Sequence, residues 1–449
     1  MIYSLAFHLF LGMIIVLYEF LRAKTRPLDT MLFISISYFL LYVYVPVAIY
    51  FKPEWATVGA FKYNNEYSYS SLTIALISIF GYCLILGGRH YSQLLIGTAP
   101  RHPAYIDLSK KSFIILIIIG IISYLLYARA LGGVFNSVIL GSALRYGVLN
   151  IDEVVSGNGL VFKRLLSVLE LLVFYSIARR YSGRKLTHGF KFLMRVVTVF
   201  YICFLLSSAS RGAFIGLIVF YFYIRSRSDV SSISIARYVI FSLSALLFVL
   251  YGKQFLFAFP ELLQGNTQGF FDNFSDLNSV RQKDGTVFMR DTLFKEFSNG
   301  YVSLIHALHN SSGLLYFRDY LGLPIDLLPM NLLGINLPSW PSISAINTYN
   351  LQGLLIASMP PGILAMSIYN LAVPGLFSLF IFGFLINYLE YVFKYSNGPL
   401  GKVLFFYTML LSMSYVSNSD IKVLVFDSLF PFLFLFVNSL KVIKIKKQN

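Results

Sequence analysis

Charge is what this sequence has least of. Only 12% of its 449 residues are Asp, Glu, Lys or Arg, whereas 57% are hydrophobic. A soluble chain of this length needs a charged surface, and no single globular core could bury so much apolar side chain. Both points exclude a soluble domain and place the chain among integral membrane proteins. Cysteine is scarce too: Cys83 and Cys203 each fall inside an apolar run. Neither a disulfide framework nor a Cys/His zinc pattern is implied, and no metal site is expected. Nucleotide-binding motifs and internal repeats are also missing. The first apolar run has no basic residue before it and no small-x-small cleavage signal after it, and Arg22, Lys24 and Arg26 follow it. It reads as a first transmembrane helix and not as a removable signal.

Apolar runs and aromatic residues are abundant, with 43 Phe and 32 Tyr that suit lipid-facing and interfacial positions. Eleven candidate spans can be marked: 2–21, 31–51, 71–86, 113–131, 160–178, 193–207, 212–224, 237–253, 363–390, 403–416 and 423–440. Most approach the ~20 residues that cross a bilayer. The runs 193–207 and 212–224 are short, so they are either two tight spans or one broken re-entrant element. The run 363–390 is long and contains Pro374, which predicts a tilt, a kink or an interfacial start. The expected fold is an all-α polytopic membrane protein of about eleven transmembrane helices, with one large loop in its C-terminal half. Its parts are 1–253 (eight spans), 254–362 (the loop) and 363–449 (three spans and a basic tail).

Alternate connections carry most of the basic residues, and Lys and Arg are retained on the cytoplasmic side. Arg22/Lys24/Arg26, Arg89/Arg101/Lys110/Lys111, the cluster from Arg179 to Lys191, Arg225/Arg227/Arg237, Lys394/Lys402 and the tail from Lys441 to Lys447 all fall on one side. This alternation predicts an N-terminus outside, a C-terminus inside and the long loop outside. The net charge of +16 is then mostly topological. It does not mark a nucleic-acid surface, and no nucleic-acid partner is expected.

Arg129, Lys163, Arg164 and Lys253 sit near outer span ends, and Arg145 and Arg211 belong to outer connections. They either snorkel to lipid phosphates or form a basic collar at headgroup depth. Arg211 stands out within Ser207-Ser208-Ala209-Ser210-Arg211-Gly212, a small-residue hinge between two short apolar runs. An unpaired guanidinium there costs several kcal/mol unless it meets an anion or a carboxylate. Its planar five-donor fork matches phosphate oxygens.

The segment 254–362 holds five basic and eight acidic residues, so any anion site within it must be local. Residues 260–289 are rich in Gly, Asn and Asp and read as a mobile loop. Residues 291–310 read as an amphipathic helix. Leu293, Phe297, Tyr301, Leu304 and Leu308 share one face, and Lys295, Asn299 and His306 share the opposite, polar one. Residues 324–362, with six prolines and Trp340, read as an irregular lid. His306 and His309 are the only histidines on the outer side. Each is either part of a solvated face or a general base, with Asp291, Glu296 and Asp319 as acidic alternatives.

In layout and in two stretches the chain resembles the Wzy-type polymerases of O-antigen, enterobacterial common antigen and capsule repeat units. One stretch is Ser208-Ala209-Ser210-Arg211-Gly212, similar to that family's small-residue turn ending in Arg between two spans. The other runs from Met289-Arg290-Asp291-Thr292 through Phe317-Arg318-Asp319-Tyr320 and Pro338-Ser339-Trp340-Pro341-Ser342 to Asn347 and Pro361-Gly362. The family's Arg-x10-Gly loop repeat does not occur at Arg145, Arg281, Arg290 or Arg318, so which arginine meets which substrate stays open.

The resemblance implies an enzyme of the bacterial inner membrane that joins undecaprenyl-pyrophosphate-linked repeat units at the periplasmic face, without a cofactor. The growing glycan moves onto the non-reducing end of a new unit, and lipid pyrophosphate leaves. Its implied partners are lipid-linked glycans, membrane lipids and a chain-length regulator protein. Arginines would hold the pyrophosphate, Arg211 and Arg290 first and Arg318 and Arg145 after them. His306 or Asp291 would act as the base. Competing readings are an O-antigen ligase, which also uses a loop histidine, a repeat-unit flippase without chemistry, and a lipid-phosphate-sugar glycosyltransferase.

Overall fold

A computed structural model of the protein describes residues 2–23, 29–57, 60–61, 72–97, 105–145, 162–183, 186–208, 211–227, 252, 255–279, 294–309, 314–327, 341–353 and 359–448. The described residues are helical and include no strand. Among the described residues, seven helices are long and apolar enough to cross a membrane, or eight if one bent pair counts as a single span. This is the build of a multi-pass membrane protein. Apolar sequence folds this way because hydrocarbon offers backbone N–H and C=O groups no partners except one another.

The seven are α1 (Ile2–Ala23), α2 (Thr30–Phe51, with a π-turn at Leu40–Tyr44), α3 (Leu72–Ile96), α4 (Lys110–Ala130), α7 (His188–Ser208), α14 (Phe377–Phe393, led in by a 3-10 turn from Val373) and α15 (Pro399–Asn418). Shorter helices lie between them: α5 (Val134–Arg145), α6 (Ser167–Arg180) and α8 (Arg211–Arg227). The expected short runs 193–207 and 212–224 are thus two separate helices, the first long enough to span and the second shorter. The expected span 160–178 overlaps α6, and residues 237–251 lie outside the described residues.

Two apolar cores hold the bundle. One joins α1, α2, α3 and α14 to helices of the long segment; the other joins α4, α6, α7, α8 and α15. The most extensive pairing is α3 on α14. A Cβ at Gly88 would fall 1.9 Å from the Phe380 carbonyl oxygen, and one at Gly383 would fall 2.2 Å from that of Ile85. Only hydrogen fits between these backbones. Gly88→Ala is expected to destabilise the protein by about 1–3 kcal/mol or more, because backbone and not a flexible side chain must move. Gly87→Ala meets only the Phe380 ring at 3.7 Å and is expected to be neutral. Thermal unfolding of the two variants in one detergent checks this; equal melting temperatures would contradict it.

Charged side chains close the end of the bundle where α1 stops and α2 starts. Arg22 pairs with Glu19 and Asp29, Arg89 lies 2.8 Å from Asp29 and 3.2 Å from Glu390, and Lys394 lies 2.9 Å from Glu390. Asp29 also caps α2 through the Leu32 N–H. The charge pattern reads Arg22, Arg89 and Lys394 as inner-loop anchors, but here they are partners in a buried network linking α1, α2, α3 and α14.

The opposite end carries the long segment, which is more ordered than its composition implies. Within the expected mobile loop 260–289, α9 (Thr267–Ser279) forms, and the Asn266 side chain accepts the Gly269 N–H at 2.9 Å as its cap. The amphipathic helix is α10 (Lys295–His309). The Pro-rich stretch is not wholly irregular. It contains the last turn of α11 (Arg318–Leu327) and all of α12 (Ile343–Gln352), which is capped by Ser342 and ended by Gly353 with a left-handed φ of 70°. After it comes α13 (Gly362–Leu371), buried from Gly362 to Asn370. The run 363–390 is therefore broken at its start, which among the expected alternatives is the kink and not a tilt of one straight helix. Ala372 adopts φ 54°, a 3-10 turn with Pro374 follows, and α14 starts beyond it.

The expected polar face of α10 is corrected by this packing. Every residue from Gly300 to Ala307 is buried. Lys295 is exposed and Asn299 half-buried, but His306 is only 5% exposed, because α13 and α12 cover the sides that solvent would otherwise reach. Gly300, a weak helix former, sits where α10 touches α13: a Cβ on Gly362 would lie 3.1 Å from its Cα.

Candidate functional site

Two short helices bring the main constellation together. α11 packs against α16 (Ile421–Asp427), which is bent by 96° from the following helix α17 (Leu429–Gln448). The Asp420 side chain caps α16, accepting the Val423 N–H at 3.1 Å with one oxygen and the Ser344 N–H at 3.2 Å with the other. Its acceptors are thus committed to backbone.

Asp319, on the first turn of α11, differs. It is 4% exposed, and among the described residues neither of its carboxylate oxygens has a hydrogen-bond partner of good geometry. Burial pushes its pKa up to about 6, helped by the nearby Asp420 carboxylate. The N–H groups of Tyr320 and of Asp319 itself, and the buried Lys422, pull the other way. A carboxylate with open lone pairs, titrating close to neutrality, is equipped to accept a proton from an incoming hydroxyl. Arg318, next to it, is exposed. Tyr320 shares a short hydrogen bond with Tyr415 of α15, which ties α11 to the bundle. Arg164 from the expected basic collar lies 3.8 Å over the Phe426 ring of α16, on the same helix as Lys422.

Behind this lies a chain of neutral polar groups. The Tyr369 hydroxyl donates to Asn347 Oδ1 at 3.0 Å, so its oxygen must accept from His306 Nδ1, also at 3.0 Å. Asn347 Nδ2 donates to the Ser303 hydroxyl and to the Met359 carbonyl, both at 2.9 Å. Ser303 donates to the Asn299 carbonyl at 2.7 Å. These directions assign the Nδ1–H tautomer to His306. Burial, and then the neighbouring His309, lowers its pKa, so the ring is neutral. His309 is exposed, with Nδ1 at 2.8 Å from the Ile305 carbonyl.

The expected site residues are thus separated into groups. His306 belongs to the buried chain on α10, α12 and α13, whereas Arg318 is on the surface beside Asp319. Arg145 closes α5 and Arg211 opens α8, and their side chains fall outside the described residues, as do Arg290 and Asp291 entirely. Asn347, from the Pro/Trp-rich stretch, is fully buried at the centre of the chain. Sequence reading did not single out Asp420, Lys422, Tyr369, Asn370 or Tyr415. Asp420 had a usable signal, since an Asp directly before the run Ile421–Phe426 is a helix N-cap pattern. The tyrosines had none among so many. No protein-family model, no curated protein and no solved structure matches this chain.

Proposed function

We propose that this protein is a membrane glycosyltransferase that polymerises oligosaccharide repeat units linked through pyrophosphate to undecaprenol, making O-antigen or a related surface polysaccharide. In this reading it lies in the bacterial inner membrane with about eleven spans, its N-terminus periplasmic and its C-terminus cytoplasmic. The segment 254–362 then faces the periplasm. The observation that carries the proposal is Asp319: a buried carboxylate with open acceptor positions, beside an exposed arginine, where the loop helices meet the bundle.

The chemistry follows from that arrangement. An acceptor sugar hydroxyl gives its proton to Asp319 as its oxygen bonds to the anomeric carbon of the donor glycan. The bond from that carbon to the pyrophosphate oxygen breaks, and lipid pyrophosphate departs with the electron pair. Arg318, with Arg211, Arg290 and Arg145 as further ligands, stabilises the growing negative charge. Asp319 takes the role for which His306 and Asp291 are the other candidates.

A deletion strain complemented with Arg318→Ala, Arg211→Ala or Arg290→Ala tests this on lipopolysaccharide gels. Shortened or lost ladders are expected, with single-unit caps retained. Loss of the caps as well would indicate a ligase. Wild-type ladders from all three variants at normal protein levels would overturn the pyrophosphate assignment. Purified protein that elongates lipid-linked units separates the enzyme from a flippase.

A further inference from the structure

We propose that Asn370 is the positioning residue of the Asp319 site, and that it acts by clamping a strained strap, Leu315–Tyr316–Phe317, which leads into α11. The proposal rests on the reading of Asp319 as the base.

Four non-glycine residues have positive φ among those described: Tyr316 at 47°, Phe317 at 56°, Ala372 at 54° and Ser419 at 53°. Such angles are uncommon for any side chain, and for bulky ones they signal a conformation imposed by the surroundings. All four border the same site. Tyr316 and Phe317 directly precede Arg318 and Asp319, Ser419 directly precedes Asp420, and Ala372 follows Asn370 by two. Two consecutive aromatic residues in the left-handed region would relax unless held.

The end of α13 holds them. Where Ala372 breaks the helix, its last carbonyls lose their intrahelical donors. The strap supplies replacements: Leu315 N–H donates to the Tyr369 carbonyl at 3.0 Å, and Tyr316 N–H to the Asn370 carbonyl at 3.1 Å. Phe317 N–H donates to Asn370 Oδ1 at 2.6 Å, while Asn370 Nδ2 donates to the Met366 carbonyl at 2.9 Å. Asn370 is fully buried, so water cannot substitute for it. Immediately beyond, Tyr320 N–H donates to the Phe317 carbonyl at 3.0 Å, so the clamped residue also starts the helix carrying Asp319. The direction of the carboxylate is therefore set through one amide. The preceding residue, Tyr369, is the link between His306 and Asn347, so α13 joins the clamp to the buried polar chain.

The test uses purified full-length protein in detergent, with lipid-linked repeat units extracted from the deletion strain as substrate. Asn370→Leu removes the acceptor and is expected to lower kcat by about 10- to 100-fold, with KM within about twofold. It should also move the acidic limb of the pH–kcat profile below its wild-type midpoint near pH 6, because a released Asp319 regains solvent. Among the described residues, the groups facing Asp319 are Asp420 at the cap of α16, Lys422 of α16 and Tyr415 of α15, all unchanged in this variant. Phe317→Gly added to Asn370→Leu should restore part of kcat, since glycine takes positive φ without strain. If Asn370→Leu does not fold, Asn370→Ser, which keeps a hydroxyl acceptor, should show a smaller loss in the same direction. A folded Asn370 variant with wild-type kcat and pH midpoint, beside an inactive Asp319→Asn, overturns the positioning role and spares the base. So does a fall in kcat that tracks melting temperature without a shift in midpoint. An active Asp319→Asn overturns both.

Discussion

Arg89→Met is expected to be the most destabilising single substitution in the transmembrane bundle, by about 3–5 kcal/mol. Arg89 is 3% exposed and lies between two carboxylates that are themselves buried, Asp29 at 2.8 Å and Glu390 at 3.2 Å. Methionine fills a similar volume, so the loss is electrostatic and not a cavity effect. Asp29 would keep Arg22, and Glu390 would keep Lys394 and the Thr30 hydroxyl at 2.7 Å. Each anion nevertheless loses a charged partner at a depth where water cannot replace it. Arg89→Lys should recover only part of the loss: Nη2 alone meets both carboxylates, but an ammonium lacks the second nitrogen, which lies 3.5 Å from the Thr30 hydroxyl.

The cycle with Glu390→Gln sharpens this expectation. If the network is the cause, Arg89→Met should cost less when Glu390 is already neutral, giving a coupling of about 1–3 kcal/mol. Melting temperature and protein recovered from membranes are the readouts. Additive effects, or an Arg89→Met protein that melts with wild type, would mean that the network contributes little. The consequence for topology is direct. The network pins the ends of α1, α2, α3 and α14 together, so its loss should loosen the first core, on which α10 and α13 also rest.

The hydrophobic pattern made the helical class legible because period and length report directly on burial in lipid. It made α10 legible for the same reason, since Tyr301 and Leu304 do face the core. It misjudged His306 because a moment describes one helix alone, and the polar face of α10 is covered by helices distant in sequence. The break at Ala372 was half visible: Pro374 marks a disruption, but only the strap 315–317 shows how the freed carbonyls are satisfied. Composition hid α9 and α12, because caps such as Asn266 and Ser342 act through single hydrogen bonds that an average over Gly, Asn and Pro does not register.

The site was legible in pieces for a related reason. In sequence Asp319 is one acidic candidate among several, and Arg89 counts only by its sign and side. What distinguishes Asp319 from Asp420 is not residue type or spacing. Among the described residues, Asp420 has two backbone donors and Asp319 has none of good geometry. That difference is created by helix ends about a hundred residues apart and has no local signature.

Asp319→Asn is expected to reduce polymerisation by about 100- to 10,000-fold, the range for removing a general base, while making the protein more stable at neutral pH. The stability half follows from the sign of the shift. The folded-state pKa of Asp319 is raised from 3.8 to about 6, so the folded chain binds this proton more tightly than the unfolded chain. Below pH ~4 both states are protonated and the group is neutral in its effect. Between ~4 and ~6 the unfolded state releases the proton first, and above ~6 the native state carries the whole penalty. Discounted for solvent screening, that penalty is about 1–2 kcal/mol. Asparagine is isosteric and uncharged, so it removes the penalty at pH 7 to 8 and changes nothing at pH 4. The variant should therefore melt above wild type at pH 7.5 and level with it at pH 4. Its lipopolysaccharide should show single-unit caps without a ladder. A structural carboxylate predicts the opposite pairing, with lower stability and partial activity. An active variant that gains no stability at pH 7.5 would remove Asp319 from the chemistry and return the base to His306 or Asp291. The two halves are measured independently, yet one cause links them: a carboxylate kept buried and unsatisfied destabilises the fold and is reactive for the same reason.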